Sequence, residues 1–114
     1  MNPNDLLHLT KNYIKSFDKK DLESVSKLLS NDFVLEDPVV KRVKGKEEAL
    51  EKIYEIFLGS NKLSFIAKNL YQQGNTTIIE FSLELDGTSL FGVDIIEWEG
   101  DKMKELRAYL DIPK

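Results

Sequence analysis

The sequence predicts an α+β fold: three helices in the first half, packed on a strongly curved antiparallel or mixed sheet that encloses a conical pocket. Two observations carry this. Apolar residues recur at spacings of three and four up to about residue 58, and at spacings of two thereafter. The second-half strands are separated by short turn signals rather than by helices, which favours sequential hairpins over a parallel wound sheet.

The first helix is expected from a cap at Asn4 or Asp5 to about Phe17, with Leu6, Leu9, Tyr13 and Phe17 on one face. Tyr13 therefore points where the apolar residues point. Asp21 is the expected N-cap of a second helix at about 21–30, with Leu22, Val25, Leu28 and Leu29 on its buried stripe. Phe33 to Asp37 reads as a strand that Pro38 ends, and Lys41, Arg42, Lys44 and Lys46 read as a basic, solvated loop. Lys46 to Leu58 is the third helix, with Leu50, Ile53, Tyr54 and Phe57 on its inner face and Gly59 closing it.

Beyond it, Leu63, Phe65 and Ala67 alternate with Ser64, Ile66 and Lys68. Gln73-Gly74-Asn75 makes a turn, and a second alternating strand runs from Thr77 to Leu85. Asp86-Gly87 is a hairpin signal. A long strand from about 89 to 99 and a final one from Met103 to Ile112 are joined at Gly100-Asp101. On the long strand Leu90, Gly92, Asp94, Ile96 and Trp98 share one face, and Gly92 beside Asp94 permits a bend or close approach of a ligand.

With 114 residues the chain suits one domain, residues 1–114. The net charge of −4 argues against a nucleic-acid surface, which needs a basic face. No cysteine is present, so thiol catalysis and thiolate metal sites are excluded. The single histidine, His8, cannot build a histidine-rich metal centre or a catalytic pair. Neither a cofactor nor a metal is expected. No signal peptide or membrane-spanning run is recognisable, so a cytoplasmic location away from membranes is the expectation.

Three residues on three different elements carry possible chemistry. Asp94 lies in the apolar run Leu90-Phe91-Gly92-Val93-Asp94-Ile95-Ile96, with no Lys or Arg within five residues. Holding a buried Asp neutral at pH 7 costs only about 4 kcal/mol from an ordinary value near 3.9, within reach of burial. Asp37, in Leu35-Glu36-Asp37-Pro38, sits at a strand end where it can project into a pocket mouth; an Asx turn or a solvent-facing carboxylate is the plainer reading. Tyr13 places a phenol among apolar helix residues, where core packing is the commoner explanation. Together the three suggest a division of labour. Asp37 would shuttle a proton as base, while Tyr13 and a protonated Asp94 would donate hydrogen bonds to a developing enolate oxygen.

The chain resembles the nuclear transport factor two-like, or SnoaL-like, superfamily over nearly its whole length, and within it the bacterial Δ5-3-ketosteroid isomerases. The resemblance rests on Tyr13-Ile14 through Asp21-Leu22, on Glu36-Asp37-Pro38, and on the apolar strand around Asp94 before Arg107-Ala108-Tyr109. It implies a helix-lined cone, an apolar small-molecule substrate and double-bond isomerisation of a steroid-like carbonyl compound. Tyr13, Asp37 and Asp94 fall on the catalytic positions, and Tyr54 on a tyrosine that supports the first. Ketosteroid isomerase is the established example of a catalytic Asp kept neutral, so this mechanism is carried over from the family.

Two positions depart from the pattern: Leu29 stands where some members carry a third tyrosine, and Asp111 near the C-terminus is an acid those isomerases lack. The alternatives are a SnoaL-like cyclase or other acid/base enzyme using Asp94 or Asp111, and a non-catalytic ligand-binding or dimerisation module. Scytalone-dehydratase-like chemistry lacks its histidines, and limonene-epoxide-hydrolase-like chemistry lacks its arginine, since Gly92 occupies that position. The superfamily's habit of pairing through the exposed sheet face implies a homodimer, for which Phe91, Val93 and Ile95 are suited.

Overall fold

A computed structural model describes residues 3–111. The first helix, α1 (Pro3–Asp18), starts with Pro at its first described position and carries Asp5 in its first turn, both favourable at a helix N-terminus. Asp5 is thus inside the helix rather than its cap, and the Asn4 side chain lies outside the described residues. The buried face of α1 is Leu6, Thr10, Tyr13 and Phe17; Leu9 is only part-buried. At its end the Asp18 carboxylate accepts the Phe65 backbone N–H (2.8 Å), which fixes the helix against the sheet.

The second helix, α2 (Leu22–Leu28), is capped by Asp21 as expected, whose carboxylate accepts the Ser24 backbone N–H (3.2 Å). It stops two residues earlier than the sequence suggests, because Leu29 already pairs with Met103 at the start of β1 (Leu29–Asp37). The basic segment also differs from expectation. Lys41–Lys44 forms a short strand, β2, paired with β1, and Val43 is buried beneath it. Only one of its four residues is apolar, so alternation could not reveal it. The third helix, α3 (Lys46–Leu58), buries Ala49, Ile53 and Phe57 and ends at Gly59, whose N–H donates to the Glu55 carbonyl.

Four longer strands complete the sheet: β3 (Leu63–Gln73), β4 (Thr76–Leu85), β5 (Thr88–Glu99) and β6 (Lys102–Asp111). Asp86 and Gly87 both adopt positive φ (+50° and +89°), as the two-residue turn between β4 and β5 requires. The order is β2-β1-β6-β5-β4-β3, with β1 and β6 parallel and all other neighbours antiparallel. The sheet is mixed, curved and unclosed, and the helices fill its concave side. The final strand's expected last residue, Ile112, lies outside the described residues.

A crease crosses the sheet. In β3 the register shifts between Ala67 and Asn69, a bulge that bends a strand. Ala67 pairs with Phe81, Phe81 with Gly92, and Gly92 with Leu110. A Cβ at Gly92 would stand 2.4 Å from the Tyr109 carbonyl oxygen and 3.0 Å from both the Phe81 ring and the Leu110 side chain. Gly92 therefore serves the bend and not a ligand: protein atoms fill the space its missing side chain leaves.

The core also contains a buried polar chain. The Trp98 indole N–H donates to the Thr77 hydroxyl (2.9 Å), the Thr77 and Thr10 hydroxyls are 2.9 Å apart, and Thr10 donates to the Leu6 carbonyl (2.7 Å). One orientation of the two hydroxyl protons satisfies all three contacts, tying α1 to β4 and β5 without an orphaned group. On the opposite face of the sheet, Arg42 bridges Glu36 and Glu105, and Arg107 bridges Glu105 and Glu97. This ladder links β2, β1, β6 and β5 and is partly solvated, so each pair contributes little alone.

Candidate active site

Tyr13 from α1, Asp37 from β1 and Asp94 from β5 line a single cavity of about 60 Å³ under the concave sheet. Its remaining walls are apolar, including Phe17, Ile53, Ile56, Phe65, Phe81 and Leu110. The period of the strand explains Asp94. It shares a face with Ile96 and Trp98, and all three are turned into the core. The helical spacing explains Tyr13, one turn from Phe17 on the buried stripe of α1.

Asp94 is 3% exposed and Tyr13 4% exposed. Burial, reinforced by the negative charge of Asp37, pushes the Asp94 carboxyl up to about 8. At pH 7 it is then roughly nine-tenths protonated and can donate a hydrogen bond. Burial, together with the Asp94 charge, also raises the Tyr13 phenol well above its ordinary value, so it stays a donor throughout the neutral range. Among the described residues, no protein group is hydrogen-bonded to the Asp94 carboxyl or the Tyr13 hydroxyl. Both are free for a ligand.

Asp37 occupies the half-buried mouth. One oxygen, Oδ1, accepts the backbone N–H groups of Val39 (2.7 Å) and Val40 (2.6 Å), an Asx turn that shapes the hairpin into β2. Both readings of this residue thus hold in one place: it makes the turn, and it lines the cavity, with Oδ2 outside the turn's hydrogen bonds.

Tyr54 needs correction. It was expected on the inner face of α3 beside Tyr13, but it is 49% exposed and outside the cavity wall. The buried stripe of α3 runs through Ala49, Ile53 and Phe57 at strict spacings of four, which turns Tyr54 about 100° away. The adjoining wall is instead made by Ile53 and Ile56, and Ile56 was not anticipated. Asp111 also lies elsewhere, exposed at the end of β6 beside an open cleft with Lys68 and Glu80. Thr10 was missed although the spacing from Leu6 to Tyr13 points to it. Among the described residues no cluster of His, Asp or Glu could hold a metal ion, and no helix is long and apolar enough to cross a membrane.

The fold and the cavity define a cone-shaped domain with a buried acid site. The family profile of the SnoaL-like domain matches residues 10–106, and the chain belongs to that family. A search of curated proteins by sequence gave no match. Among solved structures the chain is similar to a protein from Kribbella flavida provisionally named a ketosteroid isomerase, at a TM-score of 0.86 and 18% identity over 98% of this chain and 82% of that one. It is also similar to a protein from Jannaschia provisionally named a SnoaL-like polyketide cyclase, at 0.84 and 14% over 96% and 87%. An LEH-like epoxide hydrolase from M. tuberculosis gives 0.82 and 14% over 96% and 84%. At these identities the likeness establishes the shared fold, within which enzymes of several kinds occur.

Proposed function

We propose that this chain is a cofactor-independent enzyme that moves a proton on an apolar carbonyl compound through an enolate, a double-bond isomerase in the manner of the ketosteroid isomerases. The observation that carries the reading is the convergence of Tyr13, Asp37 and Asp94, from three elements, on one otherwise apolar cavity. The Asp37 carboxylate takes a proton from the carbon next to the carbonyl. The C–H electron pair becomes a C=C bond and the carbonyl π pair moves onto oxygen. Tyr13 and neutral Asp94 each donate a hydrogen bond to that oxygen, and Asp37 returns the proton to a different carbon. Donors of this kind in a dry site are worth roughly 3–4 kcal/mol each.

The test is isomerisation of a β,γ-unsaturated ketone, followed by the ultraviolet absorbance of the conjugated product. Activity from the native chain, lost in Asp37→Asn and reduced about 100- to 1,000-fold in Tyr13→Phe, supports the assignment. No activity on any such ketone would count against it. A cyclase would use the same buried Asp94 as acid, and would be recognised by ring closure of a substrate that does not simply isomerise. A non-catalytic module of the same fold would bind ketones without turning them over.

The outer sheet face supports a second proposal. Ile66, Tyr71, Phe91 and Tyr109 are exposed there around part-buried Val93 and Ile95, with Lys68 over the Phe91 ring and Glu80 paired beside Val93, a mixed surface rich in large apolar side chains and suited to a second copy of the chain. Light scattering should give a dimer mass that Phe91→Glu halves; a monomeric native chain would refute it.

A further inference from the structure

The cavity sorts its walls by depth. Its donors, Tyr13 and Asp94, are buried, while Asp37, Ile56, Ala108 and Leu110 are part-exposed and form the rim. A carbonyl oxygen held by the donors therefore points inward, and the carbon that loses its proton lies toward the mouth. The back wall is interlocked. Phe17 lies 5.0 Å, centroid to centroid, from both Phe57 and Phe65, and Phe65 lies 4.9 Å from Phe81. These rings join α1, α3, β3 and β4, so the wall cannot recede without unpacking four elements.

The whole cavity, mouth included, is about 60 Å³. A pocket that engulfs a larger ligand has ~300 Å³ or more. No Lys, Arg or His lines the cavity among the described residues. A carboxylate or phosphate placed there would lose its water and gain no cation.

We infer that the substrate is a neutral compound with an unhindered, open-chain carbonyl end, a small ketone or enone rather than a fused-ring one, and that Ile56 at the rim sets this limit. The inference rests on the proton-transfer reading and narrows its substrate class from steroid-like to compact. Part-exposed Ile56 is the rim residue contributed by α3, and it donates and accepts no proton. Its size decides how wide a body can follow the carbonyl inward.

The experiment is exchange of the hydrogens next to the carbonyl into D2O, followed by proton NMR with the full chain. Methyl ethyl ketone and a decalone are compared as probes. In this exchange Asp37 takes the proton, trades it for a deuteron from solvent, and returns the deuteron to the same carbon. The native chain should accelerate exchange of methyl ethyl ketone at least about tenfold more than that of decalone. Ile56→Ala should close most of that gap by raising the decalone rate. Equal or faster exchange of decalone by the native chain would overturn the size limit while leaving proton transfer standing. This comparison needs no variant to fold. Exchange of neither ketone would overturn the size limit and the proton-transfer reading together.

Discussion

Asp37 and Asp94 face one cavity from different depths, and the charge of the first helps keep the second protonated. Like charges held close cannot both ionise cheaply, so the deeper carboxyl, already short of water, stays neutral. The neutral member of the pair is therefore the deeper one.

Asp94 should make stability depend on pH in a defined direction. Its folded value of about 8 is above its ordinary 3.8, so the folded state binds the extra proton between those values. The stability this contributes is complete below about pH 4 and is lost as pH rises through about 8. Asp94→Asn removes the effect. Urea melts of both proteins should show little difference near pH 4 and an advantage of roughly 2–5 kcal/mol for Asp94→Asn by pH 8. A difference that stays flat over this range would rule out a buried, protonated Asp94.

The turn that Asp37 makes and its proposed part as base can be separated by substitution. Asn keeps an oxygen to accept the Val39 and Val40 N–H groups, whereas Ala leaves both unpartnered. Asp37→Asn should remain within about 0.5 kcal/mol of the native stability, while Asp37→Ala should lose about 1–2 kcal/mol. Both should be inactive. Retained activity in the Asn variant would assign the base elsewhere.

Thr77→Val keeps the shape of a fully buried side chain but orphans the Trp98 indole N–H and removes the hydrogen bond between the Thr77 and Thr10 hydroxyls. A loss of about 1–3 kcal/mol is expected in thermal or urea unfolding, with a changed near-ultraviolet dichroism from Trp98. An unchanged melting temperature would mean that the polar chain does not form.

Gly92→Ala tests the crease. The new Cβ would have to displace the Tyr109 carbonyl, a backbone atom at 2.4 Å, and cannot be relieved by a rotamer change. The expected cost is roughly 2–3 kcal/mol or more, measured as a drop in midpoint. A neutral outcome would show that the sheet is less sharply bent at that point.

Much of the site was legible because its residues contradict their surroundings. Asp94 stands out as an acid in a greasy strand, Asp37 precedes a proline, and Tyr13 falls on an apolar stripe. Tyr54 was misplaced for a physical reason. Ile53 and Tyr54 are neighbours only 100° apart, both lie within the width of an amphipathic stripe, and only the docking of α3 on β1 and α2 selects between them. Strand β2 was hidden because a four-residue edge strand carries one inward position, Val43. Leu29 was read as helical because it is equally good on a helix stripe and in a strand, and pairing with Met103 decides it. The cavity's volume could not be read at all, since it depends on how far Phe17, Phe65 and Phe81 interdigitate.

The crease through Lys68, Phe81, Gly92 and Leu110 runs at right angles to the strands, like the fold in a sheet of card. Each strand is held at that line by its neighbours, so none can straighten alone. The depth of the hollow beneath is accordingly a collective dimension. Flattening the fold line by a substitution at Gly92 or Lys68, neither of which lines the cavity, would rescale the whole hollow while leaving Tyr13, Asp37 and Asp94 unchanged in identity.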